Sequence, residues 1–159
     1  MEQKRISMWL KAVGLVAMAG LVFVFFVFAP RFAALCAARF EQLAWLRWPA
    51  LAGLWAVGLL YLASVVFYLR ICARIGRDQS FVPDNARDLA RIAQLMLGAA
   101  GLWGAGCLGV LWVNIGPGGI WIGALLMALA SGAIATLAWA LGKLVRRAVR
   151  LQEENDLTV

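Results

Sequence analysis

The chain has 159 residues, of which 64% are hydrophobic and only 14% are charged, and its mean hydropathy is +0.85. A soluble domain of this size would carry about 25% charged residues, so the composition excludes an ordinary soluble globular protein. The sequence contains no histidine, which excludes histidine-ligated haem, histidine-based zinc catalysis and histidine-dependent catalytic triads.

Four apolar stretches predict an all-α, polytopic membrane protein that forms a single four-helix transmembrane domain over residues 1–159. The stretches cover residues 9–29, 48–68, 89–113 and 120–141. Each reaches the ~20 residues that a helix needs to cross a ~30 Å hydrocarbon core. Backbone polar groups in lipid are satisfied within a helix, and strand-like alternation is missing, so the spans are predicted to be helices.

The distribution of basic residues predicts the orientation of these spans. Twelve of the fifteen Lys and Arg residues flank the first span, lie between the second and third spans, or follow the fourth. The other three are Arg31, Arg39 and Arg47, between the first and second spans. The positive-inside rule therefore predicts that both termini, the loop 70–88 and the tail 142–159 are cytoplasmic. The net charge of +7 then indicates anchoring to anionic lipid rather than direct nucleic-acid binding.

The segment 30–47 is predicted to lie in the membrane interface on the outer side. Its apolar residues at positions 32, 35, 36, 40 and 43 follow helical spacing, while basic and acidic residues interrupt them. A connector seated in the interface explains the pattern. A lid over a cavity, or a docking surface, is the alternative.

The loop 70–88 contains the clearest predicted helix start. Proline suits the first helical turn and acidic residues suit the positive end of the helix dipole, so helix three is predicted to begin near Pro83. The polar residues of this loop are candidates for docking a partner. These candidates are Arg74, Arg77, Asp84 and Arg87.

The third and fourth spans are predicted to form a tight antiparallel hairpin, because residues 114–119 leave room only for a short turn. Small residues recur at every fourth position on both spans. They are Gly101, Ala105 and Gly109 on the third span, and Ala124, Ala128, Gly132, Thr136 and Ala140 on the fourth. Such residues let helix backbones approach closely in lipid. Packing within the chain and contact in a homo-oligomer are both consistent with the pattern.

The spans contain few groups that could carry chemistry. No charged residue lies at the middle of a span, which argues against a proton-coupled exporter. The interior polar residues are Ser64, Gln94, Ser131 and Thr136. No phosphate-binding glycine loop and no metal-ligand spacing is present, so we expect no catalytic residues, no cofactor, no metal and no enzymatic activity.

Two segments of the chain are similar to a known bacterial family. Residues 151–159 read LQEENDLTV, and residues 81–92 read FVPDNARDLARI. Together with the four-span layout, they resemble the membrane-protein family known as domain of unknown function 2975. Val82 stands where that family often has Ser or Thr, and Ala93 where a Gly is common. The resemblance implies a multi-pass protein of the bacterial inner membrane without an assigned activity, and a small helix-turn-helix regulator as a candidate partner.

Polar, motif-like sequence is concentrated in the loop 70–88 and the tail 142–159, so we expect these segments to dock a soluble partner. The candidates in the tail are Glu153, Glu154, Asp156 and Leu157. An acidic tail that meets a basic DNA-binding domain would be electrostatically complementary. Two alternatives remain open. One is a small transport or lipid-binding component with a cavity lined by Ser64, Gln94 and Ser131, and the other is a structural subunit of a larger membrane complex.

Overall fold

The computed structural model describes residues 2–39, 41–77, 79, 82–113 and 119–156, and the secondary structure within these ranges is entirely helical. The α-helices are α1 (Glu2–Val22), α2 (Ala29–Arg39), α3 (Arg47–Ile75), α4 (Pro83–Val113) and α5 (Gly119–Asp156). A π-helical turn (Phe23–Phe28) joins α1 to α2, and a 3₁₀ helix (Glu41–Leu46) precedes α3.

Four helical segments of the described chain are long and apolar enough to cross a membrane. They are Arg5–Arg39, Ala44–Ile75, Pro83–Trp112 and Ile120–Asn155. The predicted all-helical class with four potential spans is therefore confirmed. Each segment is longer than the matching apolar stretch, because the helices continue past the apolar residues into their charged flanks.

The first of these segments is one continuous helix, and a π-helical turn separates its two α-helical parts. The backbone N–H of Ala29 donates to the carbonyl oxygen of Val24, five residues back. Pro30 follows directly; it has no N–H, and its ring clashes with the carbonyl four residues before it in a regular helix. The wider turn accommodates this proline. The helix then runs to Arg39, and the position of segment 30–47 in the membrane interface stays a prediction.

The four long helices make their close backbone contacts in chain order, and α3 also meets α5 through the Tyr61 and Ser131 hydroxyls, 2.6 Å apart. In the part of the chain that the structure describes, α1 packs on α3, α3 packs on α4 and α4 packs on α5, while α1 reaches neither α4 nor α5. The most extensive contact is between α4 and α5. A wide apolar surface on α1 and α5 is therefore left for lipid or for other chains.

Helices α4 and α5 run antiparallel. The thiol of Cys107 lies 3.7 Å from the carbonyl oxygen of Trp121, and a Cβ atom added to Gly142 would lie 3.4 Å from that of Leu89. The turn predicted between them lies outside the described residues. The inward face of α5 is a stripe of small residues spaced alternately by four and three, which is the 3.5-residue period of interlocking helices. It comprises Ala124, Ala128, Ser131, Ala135, Ala138 and Gly142.

The apolar core joins the π-helical turn to α3. The rings of Phe25 and Tyr61 pack edge to face with their centroids 5.9 Å apart. A Cβ atom added to Gly58 would lie 2.8 Å from Cγ of Phe25, so glycine is needed for this close approach. The indole N–H of Trp55 donates to the Phe25 carbonyl oxygen at 3.1 Å. This bond gives a carbonyl group of the π-helical turn a hydrogen-bond partner on α3.

At one end of the molecule, which we call the basic end, the C-terminal parts of α3 and α5 lie beside the starts of α4 and α1. There α3 ends at Ile75, and α4 begins at Pro83, which confirms the predicted helix start. The hydroxyl of Ser7 on α1 donates to the Cys72 carbonyl oxygen at 2.8 Å. Residues 70–91 and 143–150 place nine arginine and lysine residues at this end.

Candidate functional site

A buried ion-pair network holds α3 to α4 at the basic end. Asp88 is only 3% exposed, and its carboxylate accepts from the guanidinium of Arg74 at 2.5 Å and lies 3.5 Å from that of Arg91. A buried carboxylate is tolerated in a protein only when it is paired and hydrogen-bonded. The sequence indicates acids at the start of α4 but not that Asp88 faces α3.

The same network holds Gln79, one of the described residues between α3 and α4. Arg74 also donates to the side-chain oxygen of Asn85 at 3.2 Å, and the Asn85 amide donates to the carbonyl oxygen of Gln79 at 3.0 Å. The backbone N–H of Gln79 in turn donates to the Arg74 carbonyl oxygen at 3.1 Å. Arg74 and Asn85, which is 2% exposed, therefore hold Gln79 from both sides.

The loop residues predicted to dock a partner fall into two groups. Arg74 is occupied by Asp88 and Asn85, so its role in the structure is to hold α3 to α4. Arg77, Asp84 and Arg87 are exposed, and the last two form an ion pair at 3.3 Å. The exposed group is available to a partner.

The C-terminal part of α5 extends beyond the rest of the described chain. Gly142 is the last buried residue of the helix and lies against Ala86 and Leu89, close to the start of α4. The helix continues from there to Asp156, which is about 21 Å at 1.5 Å per residue. We call residues 143–156 the α5 extension.

The α5 extension carries basic residues as far as Arg150 and acidic residues from Glu153 onward. Arg150 and Glu154 form an exposed ion pair at 3.4 Å, and the ammonium of Lys143 lies 3.7 Å from the centre of the Trp139 ring. Glu153 is exposed, and it lies about 16 Å along the helix from Gly142. Asp156 ends the helix, although its side chain is not described, and Leu157 lies outside the described residues.

A second polar cluster crosses the middle of three spans. The indole N–H of Trp103 on α4 donates to the Tyr61 hydroxyl on α3 at 3.0 Å, and that hydroxyl lies 2.6 Å from the Ser131 hydroxyl on α5. Ser131 donates to the Met127 carbonyl oxygen at 2.7 Å, so Tyr61 is the donor to Ser131. The sequence marks Tyr61 and Ser131 as polar residues within spans, but their separation of 70 positions gives no sign of the pairing.

The sequence predicts a cavity lined by Ser64, Gln94 and Ser131 as an alternative, but these residues do not line the apolar cleft of the described structure. The hydroxyl of Ser64 donates to the Tyr61 carbonyl oxygen at 2.7 Å, and Gln94 is exposed. The cleft has a volume of about 470 Å³, is almost wholly apolar, and lies between α3, α4 and α5 at the end opposite the basic end.

The small residues predicted to pack helices occupy several environments. Ala124 is buried, while Ala128 and Gly132 are half-buried. The hydroxyl of Thr136 is exposed and donates to its own helix, at 2.8 Å from the Ala133 carbonyl oxygen. Ala140 is exposed as well. Within the chain, α5 therefore packs through the 3.5-residue stripe rather than through the four-residue ladder.

The predicted packing residues of α4 do not face α5 closely. Gly101, Ala105 and Gly109 are exposed, and a Cβ atom added to either glycine would meet nothing within 4 Å. Ala105 and Gly109 line the apolar cleft instead. Their role in contacts with other chains stays a prediction.

The described residues contain no group of three or more Cys, Asp or Glu side chains that could hold a metal ion. The described chain therefore has three notable features on its four potential spans. They are the buried ion pairs at the basic end, the charged α5 extension and the apolar cleft at the opposite end. Such a chain is a multi-pass membrane protein by class.

The chain belongs to the family described as "Protein of unknown function (DUF2975)", whose model matches residues 31–159. The resemblance inferred from segments 81–92 and 151–159 is confirmed by this match. The matched range includes the loop at the basic end, the cleft and the α5 extension. No curated protein and no solved structure matches the chain.

Proposed function

We propose that this chain is a non-enzymatic protein of the bacterial inner membrane that docks a soluble cytoplasmic partner at its basic end. The observation that carries the proposal is the α5 extension. It remains helical for about 21 Å beyond the last buried residue, Gly142, although isolated helices of this length are marginal in water. Val145, Ala148 and Val149 are half-buried, and a partner that covers the exposed face would add packing to the rest of the extension.

The charges of the basic end favour a partner with both acidic and basic patches. Arg77, Arg87 and the arginines of the α5 extension are exposed, and Glu153 lies beyond them. A small helix-turn-helix regulator is the partner class that the family resemblance implies. Complementary charges of this kind raise the rate and the specificity of association more than the affinity.

The orientation that this proposal needs has a direct test. Two single-cysteine variants are made from a protein without native cysteines. One has cysteine at Trp112, which is 91% exposed at the opposite end, and the other has cysteine at Glu153. A membrane-impermeant thiol reagent added to spheroplasts should label position 112 and not position 153. Labelling of position 153 from outside would place the α5 extension away from the cytoplasm and refute the proposal.

The docking itself is tested by site-specific photo-cross-linking in cells. A photoreactive residue at position 153 should capture a soluble protein, while the same residue at position 112 should not. Deletion of residues 152–159 should lower co-purification of that protein at least tenfold with membrane insertion unchanged. Equal recovery from the full chain and the deletion variant would show that the extension does not dock it.

A further inference from the structure

The apolar cleft has the size and lining of a binding site rather than of a packing defect. Its volume of about 470 Å³ lies within the range of about 300–1,000 Å³ that is typical of ligand cavities. Small residues from two helices create the space. A Cβ atom added to Gly53 on α3, or to Gly106 or Gly109 on α4, would meet nothing within 4 Å.

The length of the cleft matches one leaflet of a bilayer. Its longest wall runs from Leu46, the residue before α3, to Val57 on α3, which is about 16 Å along the helix axis. Half of a ~30 Å hydrocarbon core is about the same length. Trp103 lines the deep end, and its one polar side-chain atom is already bonded to Tyr61. The interior therefore suits an extended hydrocarbon chain.

An unsatisfied cationic group lies beside the outer end of the cleft. The guanidinium carbon of Arg47 lies 5.4 Å from the centre of the Trp48 ring, and the Nε atom is buried without a hydrogen-bond partner. The two terminal nitrogens of the guanidinium are the ones that a ligand could reach. Leu46, directly before Arg47, and Ala50, one turn after it, both line the cleft. A phosphate group is the acceptor that a guanidinium binds best, through two parallel hydrogen bonds.

We propose that the cleft binds one acyl chain of an anionic membrane phospholipid whose phosphate is bound by Arg47. The occupant follows from three features together: the apolar lining, the one-leaflet length and the positive charge of the Arg47 guanidinium near the outer end of the cleft. A helix of a second copy is about 10 Å wide, broader than a single acyl chain, and carries no phosphate. The site lies at the opposite end from the docking surface, so the two proposals stand or fall separately.

The test is native mass spectrometry of the full-length protein in mild detergent, with added phosphatidylglycerol or with diacylglycerol of identical acyl chains, which lacks the phosphate. The wild-type protein should retain one phosphatidylglycerol molecule with at least tenfold preference. Gly106→Leu fills the cleft and should lower its binding at least tenfold. Gly20→Leu is the matched control, because Gly20 lies on α1 and also has free space around it.

A second pair of variants separates the head group from the acyl chain. Arg47→Gln should remove the preference for phosphatidylglycerol while both lipids still bind. Arg39→Gln, an exposed arginine toward the same end, should keep the preference. Gly53→Leu provides an independent cleft-filling variant if Gly106→Leu does not fold.

Three results would overturn the proposal. Unchanged lipid binding by a folded cleft-filling variant would place the lipid elsewhere. Equal binding of the two lipids by the wild-type protein would remove the role of Arg47. A loss of dimer mass in Gly106→Leu, without a change in bound lipid, would identify a second copy as the occupant.

Discussion

The substitution Asp88→Asn tests whether the buried ion pair holds α3 to α4. The Asp88 side chain is 4% exposed and that of its partner Arg74 is 27% exposed. Removing one partner of a buried pair costs about 3–5 kcal/mol, because the other charge is left in a poorly solvated position. Arg74 is partly solvated and keeps its bond to Asn85, so we expect the lower end of the range, about 3 kcal/mol. That corresponds to a roughly 100-fold lower equilibrium constant for folding.

The same helix provides a matched control. Asp84 and Arg87 also form an ion pair, but their side chains are 59% and 73% exposed. Exposed pairs contribute about 0–1 kcal/mol, so Asp84→Asn should lower the free energy of unfolding by less than about 0.5 kcal/mol. The free energies are measured by denaturation with SDS in mixed micelles, followed by tryptophan fluorescence.

A double-mutant cycle isolates the pairing energy. Asp88→Asn combined with Arg74→Gln should show a coupling energy above about 1 kcal/mol, within the usual range for residues in one network. The equivalent cycle on Asp84 and Arg87 should give less than about 0.5 kcal/mol. If Asp88→Asn unfolds at the same SDS fraction as Asp84→Asn, the inference that burial makes this pair matter is wrong.

Two further substitutions probe the interior of the spans. Tyr61→Phe removes the hydroxyl that links three helices. It should lower the free energy of unfolding by about 1–2 kcal/mol, since interhelical hydrogen bonds in membranes contribute about 0.6–1.7 kcal/mol each. The control Tyr68→Phe loses a hydrogen bond of 3.3 Å to the Leu10 carbonyl oxygen and should cost less than half as much in the same SDS assay. Gly58→Ala places a Cβ atom 2.8 Å from Phe25 and should destabilise the protein by about 1–3 kcal/mol. Gly53→Ala, which meets nothing within 4 Å, should be neutral or stabilising in thermal melting, and equal effects of the two alanines would contradict the close contact.

The helices and their approximate ends are predictable from the sequence because they depend on local composition. A backbone in lipid satisfies its hydrogen bonds within the helix, so an apolar stretch of sufficient length is enough to define a span. The start of α4 at Pro83 follows in the same way from the φ angle and the missing N–H of proline. The C-terminal ends of other helices differ more, since the first helix continues to Arg39 through a π-helical turn and α5 continues to Asp156.

The pairings at the candidate sites depend on how each helix is rotated about its axis and on its register against its neighbour. In lipid, polar and apolar faces do not separate as they do in water, so the sequence contains only a weak signal for either quantity. The pairing of Asp88 with Arg74, the bond from Tyr61 to Ser131 and the cleft between α3, α4 and α5 all arise at this level. Composition alone predicts four helices that are long and apolar enough to cross a membrane. Only the packed helices decide which polar groups meet and where space for a ligand remains, because both depend on the rotation and register of each helix.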